Sequence, residues 1–215
     1  MKKIVLICFY LRALSNMHAQ PTEAKPVSTC SFKDLSANFD FTVTVNWAEN
    51  DFDMPFAGSM EVEITDKNSR IKAQVVTVQS EFMAVIFDSF SCANKRSFYT
   101  GVNADEEIID NNWGNFIVRD FNFDNREDFA IKVADNNVGS LYAYYVQTDD
   151  SFRREDYLSD KVGLMMDSFD SNTLQAYRSA PAGCCKMIHY TYQYSPANHD
   201  WALIKTEEDD LTQEE

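Results

Sequence analysis

The residues best equipped for chemistry lie in one short stretch, Arg119-Asp120-Phe121-Asn122-Phe123-Asp124-Asn125-Arg126-Glu127-Asp128-Phe129. Oxygen-bearing side chains fall at Asp120, Asn122, Asp124 and Asp128, and Arg126 between them offers its backbone carbonyl. A tightly curled loop aims alternate side chains inward, so this spacing gathers hard oxygens around a point. A calcium ion takes about six to eight such oxygens at about 2.3–2.6 Å. Carboxylates crowded this closely repel one another unless a cation neutralises them. Asn125 occupies the place in the loop where positive φ is needed, and asparagine tolerates it best after glycine. Magnesium fits less well, because a flexible loop cage suits the larger ion. The competing reading is an acidic turn with solvated carboxylates, since Asp and Asn are common turn formers.

The loop is flanked by apolar strands. Phe116 to Arg119 precedes it, and Phe129-Ala130-Ile131-Lys132-Val133 follows. Position 12 of the loop is Ile131 where a helix-flanked calcium loop carries glutamate. Elsewhere the dominant period is two. Phe39, Phe41, Val43, Val45 and Trp47 alternate with polar partners, as do Met60, Val62 and Ile64. A turn at Asp66-Lys67-Asn68-Ser69 leads into Ile71 to Val78, which predicts a hairpin. Further strands are expected at Phe82 to Asp88, Ser97 to Thr100, Asp128 to Val133, Leu141 to Gln147, Leu174 to Arg178, Lys186 to Tyr194 and Trp201 to Lys205. Asp105 to Asp110 and Asp156 to Met165 are the two expected short helices. The fold class is therefore all-β, mainly antiparallel, as a sandwich or a propeller-blade-like sheet with one or two short helices.

The chain divides into four parts. Residues 1–19 read as a secretory signal: Met1-Lys2-Lys3 is followed by the apolar run Ile4 to Leu11, with cleavage after Ser15 or Ala19. Residues 20–37 are Pro-, Ser- and Thr-rich and read as a linker. Residues 38–206 form a single β domain, a size one domain commonly fills. Residues 207–215 read as a solvated acidic tail. A periplasmic or secreted location follows, with no membrane span in the mature chain.

Export leaves Cys30, Cys92, Cys184 and Cys185, an even number suited to disulfides. Neighbouring cysteines rarely bridge each other. Cys30 and Cys92 are therefore expected to pair with the Cys184-Cys185 step or with each other. A zinc site from Cys184, Cys185 and His189 is a weaker alternative.

Of 215 residues, 34 are acidic and 19 basic, a formal charge of −15. Such a chain repels phosphate backbones, which excludes a nucleic-acid partner. It is not a disordered polyanion, because 45% of its residues are hydrophobic and 13% aromatic, enough to build a core. His189 and His199 have no nucleophile motif beside them in sequence, and no carboxylate pair stands out for glycan hydrolysis. Tyr190, Tyr192 and Tyr194 share one face of a strand, and Tyr142 and Tyr144 extend the stripe. Such a stripe is either core or, if exposed, a protein- or sugar-binding surface.

Phe116 to Ile131 (FIVRDFNFDNREDFAI) resembles the calcium loop of FG-GAP-type repeats, D-x-N/D-x-D-G-x-x-D followed by a hydrophobic strand, with Asn125 in place of glycine. Downstream, Leu141 to Val146 (LYAYYV), Phe152, Tyr157-Leu158, Phe169-Asp170, Thr173 to Ser179 and Gly183 to Tyr194 (GCCKMIHYTYQY) are similar to a family of exported bacterial proteins with one such loop. Some members of that family resemble periplasmic lysozyme inhibitors that act as immunity proteins against peptidoglycan-cleaving toxins, including those delivered by type IV secretion. The resemblance covers less than half the chain. It implies a non-catalytic, calcium-stabilised β domain that blocks a lysozyme-like hydrolase, with Asp120, Asn122, Asp124, the Arg126 carbonyl and Asp128 as ligands. An acidic inhibitor suits a basic hydrolase, since opposite charge speeds association. A secreted carbohydrate-binding or adhesion module using the tyrosine stripe is the second reading, and a glycan hydrolase the third.

Overall fold

Strands whose apolar residues alternate cover one face of a core, and strands with unbroken apolar runs lie between two covers. Both kinds occur here, and the computed structural model arranges them in three layers. It describes residues 28–49, 55–69, 72–79, 91–109, 111–136, 138–149 and 151–213. The expected signal, the strand at Phe82 to Asp88 and the first part of the linker lie outside them.

The first layer is an antiparallel sheet of β1 (Ser28–Phe32), β2 (Phe39–Glu49), β3 (Pro55–Asp66) and β4 (Lys72–Gln79), in that order. The middle layer holds β5 (Lys95–Ser97), β6 (Phe116–Arg119), β7 (Asp128–Asn136), β8 (Gly139–Gln147) and β9 (Phe152–Arg154). The third holds β10 (Ser168–Asp170), β11 (Gln175–Pro181), β12 (Lys186–Ser195) and β13 (Asp200–Asp210). All named strand pairs are antiparallel except β5 with β6.

Alternation explains the layering. Phe41, Val43, Val45, Met60, Val62 and Ile64 all enter one core, which they share with Phe116, Val118, Phe129, Ile131, Ala143 and Tyr145 of the middle sheet. The residues between these on the middle strands, Ile117, Ala130, Tyr142 and Tyr144, enter a second core with Leu158, Met166, Ala176, Tyr192 and Trp201. The middle sheet is thus covered on both faces, which is why FIV, FAI and LYAYYV read as continuous apolar runs.

Four expectations need correction. Ser28–Phe32, placed in a linker, is strand β1 in register with Phe41 to Val45, and Phe32 and Leu35 behind it are fully buried. The acidic tail is strand as far as Asp210, where Asp210 opposes Lys186 and Asp209 opposes Met187. Cross-strand charge stabilises that extension through the Lys186–Glu208 ion pair. The helix expected at Asp105 to Asp110 is not formed among the described residues: the chain turns at Asp105, runs irregularly and bridges Ile109 to Asn112. Its carbonyls are diverted, because the buried Arg96 guanidinium donates to the carbonyls of Ala104 at 3.0 Å and Glu106 at 3.1 Å. The strand expected at Ser97 to Thr100 is β5 instead, and it stops at Ser97, whose hydroxyl accepts from the amides of Tyr99 and Thr100. The other expected helix is a π-helical turn, Tyr157–Val162. It closes through the Gly163 amide on the Leu158 carbonyl at 2.8 Å, with Gly163 at φ 69°.

Candidate metal loop and its surroundings

The loop joins β6 to β7 at one end of the middle sheet, so its two ends are held by neighbouring strands paired Arg119 to Asp128. Between them the backbone curls twice through the left-handed region, at Phe123 (φ 61°) and at Asn125 (φ 63°). The curl wraps backbone amides around the acids. Asp120 accepts from the amides of Asn122 at 3.3 Å, Asp124 at 3.2 Å and Asn125 at 2.8 Å. Asp124 accepts from the Arg126 amide at 2.9 Å and from the Asn122 side-chain amide at 3.1 Å. Asp128 is fully buried and accepts from the amides of Phe121 and Gln147, each at 2.8 Å. The Arg126 carbonyl accepts from the Tyr99 hydroxyl, and its guanidinium reaches out to Asp149 at 2.8 Å.

The electrostatics of this arrangement are unbalanced. Burial pushes the Asp128 carboxyl well above the usual carboxylate range. Its two amide bonds oppose that shift, and Asp124 and Asp120 reinforce it. Burial, reinforced by Asp124, likewise raises Asp120. Tyr99 is pushed up by burial and then by the same group of acids. The adjacent cation, Arg119, is sandwiched between the rings of Phe98 and Phe169, 4.3 Å from each, and burial brings it down to about 10.

These residues fit a hard cation by donor chemistry. All the side chains concerned offer oxygen, and the buried carboxylates carry charge that their neighbours oppose. In the present arrangement the acids are turned toward their own loop amides. Among the described residues no three His, Cys, Asp or Glu side chains converge tightly enough to form a metal cluster. If calcium is bound, Asp120, Asn122, Asp124, Asp128 and the Arg126 carbonyl would hold it, and the ion would supply the positive charge that the buried acids lack. Beside the loop lies an open cleft of about 520 Å³, lined by Asp124, Arg126, Asp149, Arg153, Tyr194 and His199 among others.

Glu127 has a role that sequence reasoning missed. It is buried, and it accepts from the Ser36 hydroxyl at 2.6 Å, the Ala37 amide at 2.7 Å and the Asn38 side chain at 2.9 Å. The loop is thereby latched to the segment between β1 and β2, across about 90 residues of sequence. An apolar Phe32 and Leu35 flanking Ser36 were the available signal that this segment is not a linker. Glu127→Ala is expected to lower stability by about 2–3 kcal/mol, because buried donors lose a charged acceptor. Urea denaturation followed by circular dichroism measures this, and an unchanged midpoint would remove the latch.

The tyrosine stripe is core. Tyr142, Tyr144, Tyr192 and Tyr194 are buried between the second and third layers, and Tyr190 is half-buried beneath the Arg178 guanidinium. The middle and third sheets face each other across this stripe, which closes Tyr142, Tyr144, Tyr192 and Tyr194 to a partner and leaves only Tyr190 partly exposed. Cys30 and Cys92 form a disulfide, with Cα atoms 5.2 Å apart, while Cys184 and Cys185 are free thiols. Cross-strand register brings together a set that sequence spacing hid. The Ser179 hydroxyl lies 2.9 Å from His189 Nδ1, and Asp209 lies 3.1 Å from Nε2. His189 makes these contacts from within β12, four residues after Cys185, with partners from β11 and β13.

Two covered cores on either side of one middle sheet define a three-layer all-β protein with a polar loop at the β6–β7 junction. No family model matches the chain, and no curated protein matches it. A solved structure with the same fold is that of a Xanthomonas type IV secretion system related protein. It has a TM-score of 0.56 and 18% identity, over 88% of this chain and 85% of that one. At that identity the likeness is one of fold.

Proposed function

We propose that this chain is an exported, non-catalytic, calcium-binding β protein that binds and inhibits a basic, lysozyme-like peptidoglycan hydrolase in the setting of type IV secretion. The observation that carries this reading is the fold shared with the Xanthomonas type IV secretion system related protein across nearly the whole of both chains. Three others support it. The Cys30–Cys92 disulfide suits an oxidising compartment outside the cytosol. Among the described residues no helix is long and apolar enough to cross a membrane. The formal charge of −15, with Glu207, Glu208, Asp209 and Asp210 exposed along β13, attracts a basic partner.

Inhibition is tested by adding the protein to lytic assays with several lysozyme-type hydrolases. The expected result is a dose-dependent loss of lysis that weakens as salt is raised, because screening shortens the reach of the acidic surface. Undiminished lysis across basic hydrolases, including those exported by the source organism, would overturn the reading.

A further inference from the structure

Among the described residues two thiols stand outside the Cys30–Cys92 bond, and they occupy one exposed tip. Strands β11 and β12 are joined by residues 182–185, a turn closed by the Ala182 amide on the Lys186 carbonyl at 2.9 Å. Gly183 enters the turn at φ 78°, with open space where a side chain would stand. This left-handed step is open to glycine at little cost, and it swings the two following side chains to the same side. The Sγ atoms of Cys184 and Cys185 lie 2.8 Å apart, well inside the distance two unreacted sulfurs keep. Cys184 is exposed and Cys185 half-buried, and the Cys185 carbonyl is tied to the Leu211 amide at 2.8 Å.

We propose that Cys184 and Cys185 are a reversible redox pair that closes to a vicinal disulfide by exchange with a low-molecular-weight disulfide such as oxidised glutathione. The more exposed Cys184 thiolate attacks a sulfur of the small disulfide. A mixed disulfide forms and one small thiol leaves, taking up a proton. The Cys185 thiolate then attacks Cys184 Sγ, the mixed bond breaks, and the second small thiol leaves with a proton. Two electrons pass from the protein dithiol to the small disulfide, and one disulfide is exchanged for another.

The ring spans one planar peptide bond, which resists the twist the closed ring demands. A strained, exposed disulfide is the readily reduced kind, so this bond opens under conditions that leave Cys30–Cys92 intact. In that bond Cys30 is only 1% exposed but Cys92 is exposed, so the difference in reducibility rests on the strain of the vicinal ring. Cys185 is held in its thiol form by the hydrogen bond to Cys184 and then by desolvation. This favours Cys184 as the first attacker. The inference is independent of the inhibitor reading and stands or falls on thiol chemistry.

The test equilibrates the full chain across a series of reduced and oxidised glutathione ratios, quenches with acid, alkylates free thiols and maps them by mass. Cys184 and Cys185 are expected to lose alkylation together. The chain should then be lighter by two hydrogen atoms, monomeric, and fully restored on return to reducing buffer, with Cys30–Cys92 unchanged throughout. Cys184→Ser and Cys185→Ser are each expected to stop at a glutathione adduct. Persistent alkylation of both cysteines across the series would overturn the proposal. So would a disulfide-linked dimer, or a wild-type chain carrying the same adduct as the single variants.

Discussion

Calcium added to chelator-stripped protein is expected to raise its melting temperature. On the proposed reading the ion would bind a site that exists only when β6 and β7 hold the two ends of the loop, so its binding free energy would add to folding. At a hundredfold excess over Kd the gain is about 2.7 kcal/mol, which for a chain of this size is an upward shift of roughly 5–10 °C. The reason lies in the balance of charge. Asp128 and Asp120 are buried acids whose charged forms are disfavoured by burial and by neighbouring carboxylates. A divalent cation reverses the sign of that interaction.

Asp124→Ala separates binding from folding. Asp124 is exposed and bonds only within the loop, to Arg126 and the Asn122 side-chain amide. Its loss is expected to leave the melting temperature in chelator nearly unchanged and to abolish the calcium shift. Differential scanning calorimetry of both proteins, with and without the ion, reads the result. An unshifted wild-type melt would leave the loop as an Asx-turn structure closed by its own amides.

Phe129→Ala is expected to cost about 3–5 kcal/mol. Phe129 is fully buried where the first and middle layers meet. Its ring stacks on Phe116 at 5.2 Å and Tyr145 at 4.9 Å within the middle sheet. It also meets Phe41 of β2 at 5.6 Å and Phe152 of β9 at 5.3 Å. Truncation removes one member of a five-ring cluster that the stiff sheets around it cannot close over, so a cavity term adds to the lost burial. Asp128 directly precedes this anchor in β7, so loosening Phe129 also loosens the loop. Urea titration gives the loss, and Leu203→Ala on the exposed edge serves as the reference, expected within about 0.5 kcal/mol of wild type. A Phe129→Ala cost as small as that of the reference would mean that the first and middle sheets do not meet as described.

Much of the architecture was legible in the chain because a strand has a period of two. Phe39 to Val45 and Met60 to Ile64 announced one-faced strands, and those residues do enter one core. Phe116 to Arg119 was read with its observed limits, and Lys186 to Tyr194 one residue short of β12. The place of the acidic loop between two strands, and the left-handed turn at Asn125, followed from residue types alone. These are local properties: alternation, turn propensity and tolerance of positive φ act over a few residues.

Other features depended on what each face meets. The period-two rule put Tyr142, Tyr144, Tyr192 and Tyr194 on shared faces but carried nothing about a cover, and only the packing of the middle and third sheets on each other made them core. Cys30 was open to several partners until the fold brought the turn before β5, with Cys92, against β1. Glu127 read as one more loop acid until the fold carried the Ser36 to Asn38 segment over it. Ser179, His189 and Asp209 stand ten and twenty residues apart and met only through the registers of β11, β12 and β13. The sequence by itself determined the all-β class, most of the strands, the place of the loop and the excess of acid. The stacking of three sheets decided which groups are covered, because burial and long-range hydrogen bonding are properties of surfaces brought together and not of neighbours along a chain.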